Sequence, residues 1–157
     1  MPWDSDVDVQ VSEPTIHFLA EYYNMTTYRY TSARAPEGSN YMIEVNPKYT
    51  NRERDDTLNV IDARYIDTDT GLFIDITTAR KNESHAVPGL MSCKDGHDFL
   101  ETDLFPLRSS KFEGMDVKIP YNYVGILTAE YGKEALTRTV VEHHEWHPEH
   151  QEWEPLK

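Results

Sequence analysis

Two aspartates near the start of the chain have the spacing of paired metal ligands. Asp6 and Asp8 stand two positions apart in a run that alternates polar and β-branched residues, and Asp4 continues the pattern. Alternation with a period of two is typical of a half-buried strand, so these carboxylates should share the polar face while Val7 and Val9 point inward. A row of like charges is costly unless a cation or solvent separates them. The pattern therefore predicts a positively charged partner on this strand.

A third aspartate lies far along the chain in another β-rich segment. Asp75 is flanked by Ile74 and Ile76, which point to the opposite face and leave the carboxylate where a core residue or a ligand would lie. If this strand meets the first one, Asp6, Asp8 and Asp75 can hold a divalent cation, because Mg²⁺ is bound by one or two carboxylates together with phosphate oxygens of a substrate. The set favours metal-dependent phosphoryl transfer. The alternative, in which each aspartate is a solvated or hydrogen-bonded structural residue, stays open.

Other metal sites fit the sequence less well. A calcium loop that begins at Asp4 would need Gly at its sixth position and Glu at its twelfth, and neither is present. His143 and His147 are four positions apart, as on one helical face, but Pro148 would interrupt that helix. These histidines are therefore interpreted as surface residues.

Composition limits the class of protein. The 157 residues, of which 38% are hydrophobic, suffice for one domain and are too few for two ordinary ones. With 28 acidic against 15 basic residues the formal charge is -13, which would repel a phosphate backbone, so no nucleic-acid partner is expected. An aromatic content of 11% excludes a disordered acidic tail. No stretch approaches the roughly 20 apolar residues that cross a bilayer, so the chain as given is expected to be soluble, without a membrane segment.

Hydrophobic periodicity and turn residues predict the order of the elements. After the first strand they are a helix over 15–23, a strand over 41–45, a hairpin over 60–78, a hairpin over 112–120, a helix over 123–131 and a second helix over 134–141. Gly71 lies in the turn of the first hairpin, and Gly132 is placed to end the helix that precedes it. The final segment, 143–157, is rich in His, Glu, Trp and Pro and is interpreted as a loop or loosely docked tail.

Several motifs follow one another in a fixed order along the chain. They are Pro-Trp-Asp-Ser-Asp-Val-Asp-Val at 2–9, Phe-Ile-Asp-Ile at 73–76, Asp-Leu-Phe-Pro-Leu at 103–107, Phe-Glu-Gly at 112–114, Ile-Pro at 119–120 and Glu-Tyr-Gly at 130–132. In this order they resemble the LicD family, which also contains the fukutin-related proteins. The run 60–80, with Trp146 and Trp153, looks most like the fungal members associated with adding mannosylphosphate to glycans. The resemblance covers nearly the whole chain.

The resemblance implies a fold and a reaction. The fold is α+β, a nucleotidyltransferase-like mixed β-sheet flanked by helices, in which Asp6 and Asp8 match the paired catalytic carboxylates and Asp75 matches the third. The three would bind Mg²⁺ or Mn²⁺. The implied reaction is attack by a glycan hydroxyl on the phosphate of a nucleotide-activated donor. For the fungal branch the donor would be GDP-mannose and the leaving group GMP, whereas bacterial relatives imply CDP-choline, a phosphocholine donor.

Family members carry a helix and a Gly-containing stretch before the Pro-Trp-Asp motif, and this chain begins at Met1. The resemblance thus implies a LicD-like domain over 1–142, incomplete at its N-terminus, followed by a His/Trp-rich tail over 143–157. It also implies a place in glycoprotein modification, in the Golgi lumen or associated with the Golgi membrane. The alternative hypothesis is a noncatalytic regulatory or interaction module that assists a separate mannosylphosphate transferase.

Further side chains close to the motifs are candidates for binding the donor. Arg64, Arg80 and Lys111 could contact phosphate, and His97 could contact phosphate or sugar, with Asp4 completing the predicted substrate-binding set. For each basic residue an ordinary surface salt bridge is the alternative.

Overall fold

A computed structural model describes residues 7–33, 35–53, 60–112 and 114–156. Asp4 and Asp6 lie outside the described residues, so the predictions made for them stay predictions. The described residues divide into two compact units, 7–98 and 99–156. The boundary predicted between residues 142 and 143 stays a prediction as well.

The unit 7–98 is built on a mixed β-sheet with one helix. Its elements are β1 (Val7–Ser12), α1 (Glu13–Tyr22), β2 (Thr27–Tyr30), β3 (Ser39–Val45), β4 (Ala63–Asp67), β5 (Phe73–Lys81) and β6 (Leu90–Ser92). Strands β2, β3, β4, β5 and β6 lie side by side in that order, and β1 pairs with β5. The β1–β5 pair is parallel, whereas each of the other pairs in this run is antiparallel. The predicted mixed sheet with helices is therefore confirmed.

The core of this unit lies on one face of the sheet, under α1. Ser12 ends β1 and caps the helix, and a proline in its first turn has the fixed backbone angle that a helix start requires. Ile16 of α1 is fully buried and packs with Val45, Ala63 and Ile76. Ala63 and Ile76 are partners in the β4–β5 ladder, so their side chains share that face. Neighbours one position away in each strand must therefore project from the opposite face.

The hairpin predicted over 60–78 is confirmed as β4 and β5. Its turn is held by the Asp67 carboxylate, whose Oδ1 accepts hydrogen bonds from the backbone N–H of Asp69 at 2.9 Å and of Thr70 at 3.2 Å. Gly71 has a φ of +81°, a left-handed conformation that costs glycine little. The strand predicted over 41–45 and the helix over 15–23 are also confirmed, as β3 and α1.

The β1 valines share the face of the core, since Val9 is the ladder partner of Ile76, but two of them are not buried. Val7 is 44% exposed and Val9 is 41% exposed. Within the described residues β1 pairs with β5 alone, and Val11, further along the strand, is the valine that packs on the core under α1. The alternating pattern identified the strand correctly. Helix α1 covers only the part of β1 near Val11, so Val7 and Val9 remain exposed.

The elements from residue 98 onward are short. They are β7 (Asp98–Leu100), α2 (Glu101–Leu104), β8 (Arg108–Phe112), β9 (Met115–Ile119), α3 (Tyr123–Tyr131), β10 (Val140–Val141), β11 (His144–His147) and β12 (Glu152–Pro155). Strands β8 and β9 form the predicted hairpin. The Asn122 side chain accepts a hydrogen bond from Gly125 N–H at the start of α3, and Gly132, at a φ of +87°, ends the helix as predicted.

Two predictions for the end of the chain are wrong. Residues 134–141 are turns followed by β10 rather than a helix, and 143–157 contains two strands rather than a loop. Strands β10, β11 and β12 form an antiparallel sheet in which Trp146 lies opposite Trp153, with ring centroids 5.6 Å apart. A cross-strand aromatic pair of this kind stabilises a small sheet. Alternation of tryptophan with polar residues was the signal for these strands.

Candidate functional site

Four charged residues form a row across the sheet of the unit 7–98. In the ladder, Glu44 of β3 is the partner of Arg64 of β4, Arg64 is the partner of Asp75 of β5, and Asp75 is the partner of Asp8 of β1. Partners in neighbouring strands project from the same face of a sheet. Because Ile76 and Ala63 are on the core side, this charged row lies on the face away from α1.

Asp75 is the least exposed carboxylate of the row, at 9% exposure. Its Oδ1 accepts a hydrogen bond from Arg64 Nε at 2.7 Å. The Arg64 guanidinium also lies over the ring of Phe73, 4.4 Å from its centroid. Phe73 is two positions before Asp75 and therefore on the same face, so cation–π attraction and the ion pair together fix the guanidinium beside the carboxylate.

The row sets the charge state of Arg64. The hydrogen bond to Asp75 raises the pKa of the Arg64 guanidinium above its ordinary value, and the negative charges of Asp75 and Glu44 raise it further, whereas burial partly opposes the shift. Arg64 is therefore a permanent cation between two carboxylates. The positive partner that the sequence pattern predicted beside Asp4, Asp6 and Asp8 stays a prediction.

Asp8 is exposed and lies on the strand next to Asp75. Neighbouring strands are about 4.8 Å apart, which lets two carboxylates in register reach a shared ion. Two carboxylates suit Mg²⁺ or Mn²⁺, since such hard cations take oxygen ligands and complete their coordination with water or substrate phosphate. No group of three or more His, Cys, Asp or Glu side chains with metal-binding geometry occurs within the described ranges, which do not include Asp6. The metal-binding role predicted for Asp8 and Asp75 stays a prediction.

A cavity of about 450 Å³ borders this row at Glu44 and Arg64. Its other lining residues come from the segment after β3 and the approach to β4, among them Asn46 and Ile61. Ligand-binding pockets start at about 300 Å³, so a small ligand can enter beside the Arg64 guanidinium. Asn46 fixes the wall, because its side-chain amide donates to the Ile61 carbonyl at 3.1 Å.

Of the other predicted substrate-binding residues, the structure describes Arg80, His97 and Lys111, and none of them is a member of the charged row. Arg80 is on β5 but an odd number of positions from Asp75, so it projects from the core face, where it is 5% exposed and binds Asp62. His97 lies in the turn after β6, where its carbonyl accepts a hydrogen bond from Cys93 N–H. Lys111 is on β8 in the unit 99–156, where its Nζ lies 2.6 Å from Asp116. The structure does not bring Arg80 to the charged row.

Two members of the site were missed from the sequence. Glu44 stands between Ile43 and Val45, the same pattern of a charge between two aliphatic residues that singled out Asp75. Phe73 was noted as part of a motif, but its contact with Arg64 depends on the side-chain arrangement within the sheet. The position of Glu44 between two aliphatic residues could be recognised in the sequence, whereas the contact of Phe73 with Arg64 could not.

The family is shown by a match of the sequence to a family model. Residues 1–122 match the family model described as LicD/FKTN/FKRP, nucleotidyltransferase domain. The match covers well over half of the chain, so the chain belongs to the LicD family, and the resemblance predicted from the motifs is confirmed.

Two curated relatives come from Saccharomyces cerevisiae. Mannosyltransferase regulator 4 is 40% identical over 76 residues, which are 48% of this chain and 6% of that protein. Mannosyltransferase regulator 14 is 36% identical over 76 residues, 48% of this chain and 8% of that protein. The chain thus matches a small part of the length of these relatives.

In the part of the chain that the structure describes, no helix is both long and apolar enough to span a membrane.

Proposed function

We propose that this chain is a LicD-type, metal-dependent phosphotransferase domain of nucleotidyltransferase-like fold. It moves a sugar phosphate, mannosylphosphate from GDP-mannose, onto a glycan hydroxyl and uses Mg²⁺ or Mn²⁺. The observation that supports this proposal most is the pairing of Asp8 with Asp75 on neighbouring parallel strands. Two carboxylates that are far apart in the sequence thereby lie within reach of one cation on the exposed face of the sheet.

The proposed reaction assigns a separate role to each side chain. Asp8 and Asp75 hold the cation, with Asp6 as the third ligand on the family pattern, and the bound cation would neutralise charge that develops on the transferred phosphate. Arg64, which lines the cavity, contacts the donor phosphate. A guanidinium can bind two phosphate oxygens through paired N–H groups, just as it binds the two oxygens of a carboxylate. The acceptor hydroxyl forms the new P–O bond, its proton passes to a carboxylate, and GMP leaves with the electrons of the broken P–O bond.

Release of GMP tests this proposal directly. The purified chain is incubated with GDP-mannose, a mannose-terminated glycan and Mn²⁺, and both GMP and the phosphorylated glycan are quantified. Asp8→Asn and Asp75→Asn should abolish both products. Asp116→Asn is the matched control, because Asp116 is an exposed strand aspartate paired with Lys111, outside the charged row. Equal activity in Asp8→Asn, Asp75→Asn and the control would contradict the proposed metal site.

A second candidate function is favoured by the names of the relatives. Both yeast proteins are called mannosyltransferase regulators, and the matched segment is a part of each. On this proposal the chain is a noncatalytic module that assists a separate mannosylphosphate transferase, and the Arg64–Asp75 ion pair is a structural link. The chain by itself would then release no GMP, but it would stimulate the partner transferase, and Asp8→Asn would stimulate as well as the wild type.

Both candidate functions place the chain where glycoproteins are modified. A Golgi location belongs to the same proposal, since the acceptor glycans are assembled in the secretory pathway. Co-localisation of the tagged full-length gene product with a Golgi marker is the expected result, and a uniformly cytosolic signal would contradict it.

A further inference from the structure

A second cavity, of about 360 Å³, lies near the end of β5 and carries an unusual number of cations for an acidic chain. Arg52, Arg80 and Lys94 line it together with polar side chains of Asn82 and Ser84. Neither candidate function uses this cavity. It is separate from the charged row, since Arg80 is five positions beyond Asp75 on the same strand, a distance of about 16 Å at roughly 3.3 Å per residue.

The cavity is built on a buried ionic cluster. Asp62 is fully buried, and its two carboxylate oxygens lie 3.2 Å from the two terminal nitrogens of Arg80. The Nζ of Lys94, a side chain that is 3% exposed, lies 2.7 Å from Asp62 Oδ1. One buried carboxylate therefore faces two buried cations.

Lys94 is close to Asp62 but is not satisfied by it. Within the described residues its buried Nζ makes no hydrogen bond of ordinary geometry, even though the ion pair is short. A buried ammonium has three donors, and leaving them without acceptors costs free energy. A ligand that accepts hydrogen bonds in the cavity would remove that cost.

The outer wall of the cavity does not balance the charge. Arg52 binds Glu13 through contacts of 2.8 and 2.9 Å, and Glu13 also lies 3.7 Å from Arg80 Nε. Of the described members of the cluster, Arg52, Arg80 and Lys94 carry three positive charges, against two negative charges on Asp62 and Glu13. The lining residues Lys81 and Glu83 offset each other. Among the described residues, the buried part of this cluster holds two cations, Arg80 and Lys94, against one carboxylate, Asp62, so an anion bound in the cavity would be stabilised.

The turn after β6 places Lys94. Ser92 is the ladder partner of Arg80, which brings the start of this turn beside the buried guanidinium. The turn is closed by hydrogen bonds from Cys93 N–H to the His97 carbonyl and from Gly96 N–H to the Cys93 carbonyl. Gly96 has a φ of +92°, which favours glycine. A fixed turn holds the Lys94 ammonium in place before a ligand arrives, which lowers the entropy cost of binding.

We propose that this cavity is a binding site for a phosphate group, with Arg52 at its rim as the direct ligand and the buried cations Arg80 and Lys94, both paired with Asp62, supplying positive charge behind it. Ser84 lines the cavity as well, and its single hydroxyl proton, which is donated to Asn82 Oδ1 at 2.9 Å, would have to turn away from Asn82 to reach a phosphate oxygen. Phosphate suits the site because it offers several strong acceptor oxygens to cations fixed from more than one side. The site goes beyond the proposed transfer reaction, since it recognises a phosphate away from the carboxylates that would hold the metal.

Inorganic phosphate is the first probe. The full chain is titrated with phosphate in EDTA, at constant ionic strength with chloride as the reference, and binding is measured by calorimetry and by the melting temperature. A saturable rise in melting temperature is expected for the wild type. Arg52→Gln should weaken binding about tenfold, the loss of one charge-assisted contact. Arg138→Gln is the matched control, since both arginines are 52% exposed and each pairs with a glutamate, and it should bind like the wild type.

Lys94→Met separates a ligand site from a purely structural ion pair. Because the variant removes the excess buried charge, it should lose phosphate binding and yet unfold at the same temperature as the phosphate-free wild type or above it. If the variant does not fold, Arg52→Gln and Ser84→Ala decide the question, because both side chains lie at the rim.

Glucose 6-phosphate and glucose identify the source of the phosphate. Tighter binding of the sugar phosphate than of inorganic phosphate, with none for glucose, would assign a phosphorylated sugar, and equal binding would assign free phosphate. The proposal is overturned if phosphate has no effect beyond that of chloride, or if Arg138→Gln weakens binding as much as Arg52→Gln. Binding that survives in Asp8→Asn and Asp75→Asn would separate this site from the proposed metal site.

Discussion

Arg64 and Asp75 are partners in the β4–β5 ladder, and their side chains lie 2.7 Å apart on the exposed face of the sheet. The arginine therefore lies where a cation bound by Asp75 and Asp8 would compete with it. Phe73 holds the guanidinium from the other side. On the proposed function, the Asp75 carboxylate would exchange the arginine for a metal ion, and Arg64 would turn to a phosphate of the donor.

Replacing Arg64 tests this competition. Arg64→Met should raise the affinity for Mn²⁺ alone, because Asp75 loses its competing partner, and should lower the free energy of unfolding by about 1 kcal/mol or less, since the arginine is half exposed. Calorimetric titration with Mn²⁺ measures the first effect and urea unfolding measures the second. Arg138→Met is the control. Unchanged or weaker Mn²⁺ binding would show that Arg64 does not compete.

The two aspartates of the row should respond differently to neutralisation. Asp8→Asn and Asp75→Asn should each abolish a rise in melting temperature caused by Mn²⁺. Without metal, Asp75→Asn should destabilise the protein by about 1 kcal/mol, because it weakens a charge-assisted hydrogen bond at a site that is 9% exposed, whereas the exposed Asp8 should matter less. Differential scanning calorimetry with and without Mn²⁺ separates the effects. Retention of the Mn²⁺ shift in both variants would exclude this metal site.

Asp62 should be among the most sensitive positions in the unit 7–98. Asp62→Asn leaves Arg80 and Lys94 buried without a full negative charge, and breaking a buried pair in this way costs about 3–5 kcal/mol. Urea unfolding measures the loss. Asp116→Asn, at a carboxylate that is 87% exposed, should change the free energy of unfolding little. Similar small effects at both positions would mean that the buried cluster relaxes when its charge is removed.

Asp69 should make stability depend on pH in the acid range. Its carboxylate accepts hydrogen bonds from the backbone N–H of Asn40 at 3.0 Å and from the Asn40 side chain, and these bonds lower the pKa of Asp69 from 3.8 in the folded state. A lowered folded-state pKa means that this stabilisation is present above pH 3.8 and is lost as the pH falls through the folded-state value. Asp69→Ala should therefore lower the melting temperature at pH 7 and have a diminishing effect towards pH 2.

Asp116→Ala is the control for that pH series. Its difference from the wild type should stay small at every pH, because its carboxylate is largely exposed. A difference between Asp69→Ala and the wild type that grows as the pH falls would contradict the sign of the shift.

Local patterns in the sequence predicted the structure reliably where the backbone conformation depends only on residues nearby in the chain. The glycine at 71 and the aspartate at 67 define the β4–β5 turn, and Pro14 and Gly132 mark a helix start and a helix end. The same reasoning failed for 143–157, because a two-strand pairing with Trp146 opposite Trp153 is a contact between segments. The content of His, Glu, Trp and Pro in this segment indicated exposure to solvent but not the pairing of its strands.

By itself, the sequence determined which side chains share a face of a strand, since alternation with period two is a property of the extended backbone. It thereby separated Asp75 from Ile74 and Ile76 before any partner was known. Tertiary structure alone decided that Asp8 would stand beside Asp75, because the pairing of distant strands depends on which faces bury a common core. It also decided that Arg64 would fill the gap beside Asp75 while Arg80, on the opposite face of the same sheet, would be buried against Asp62.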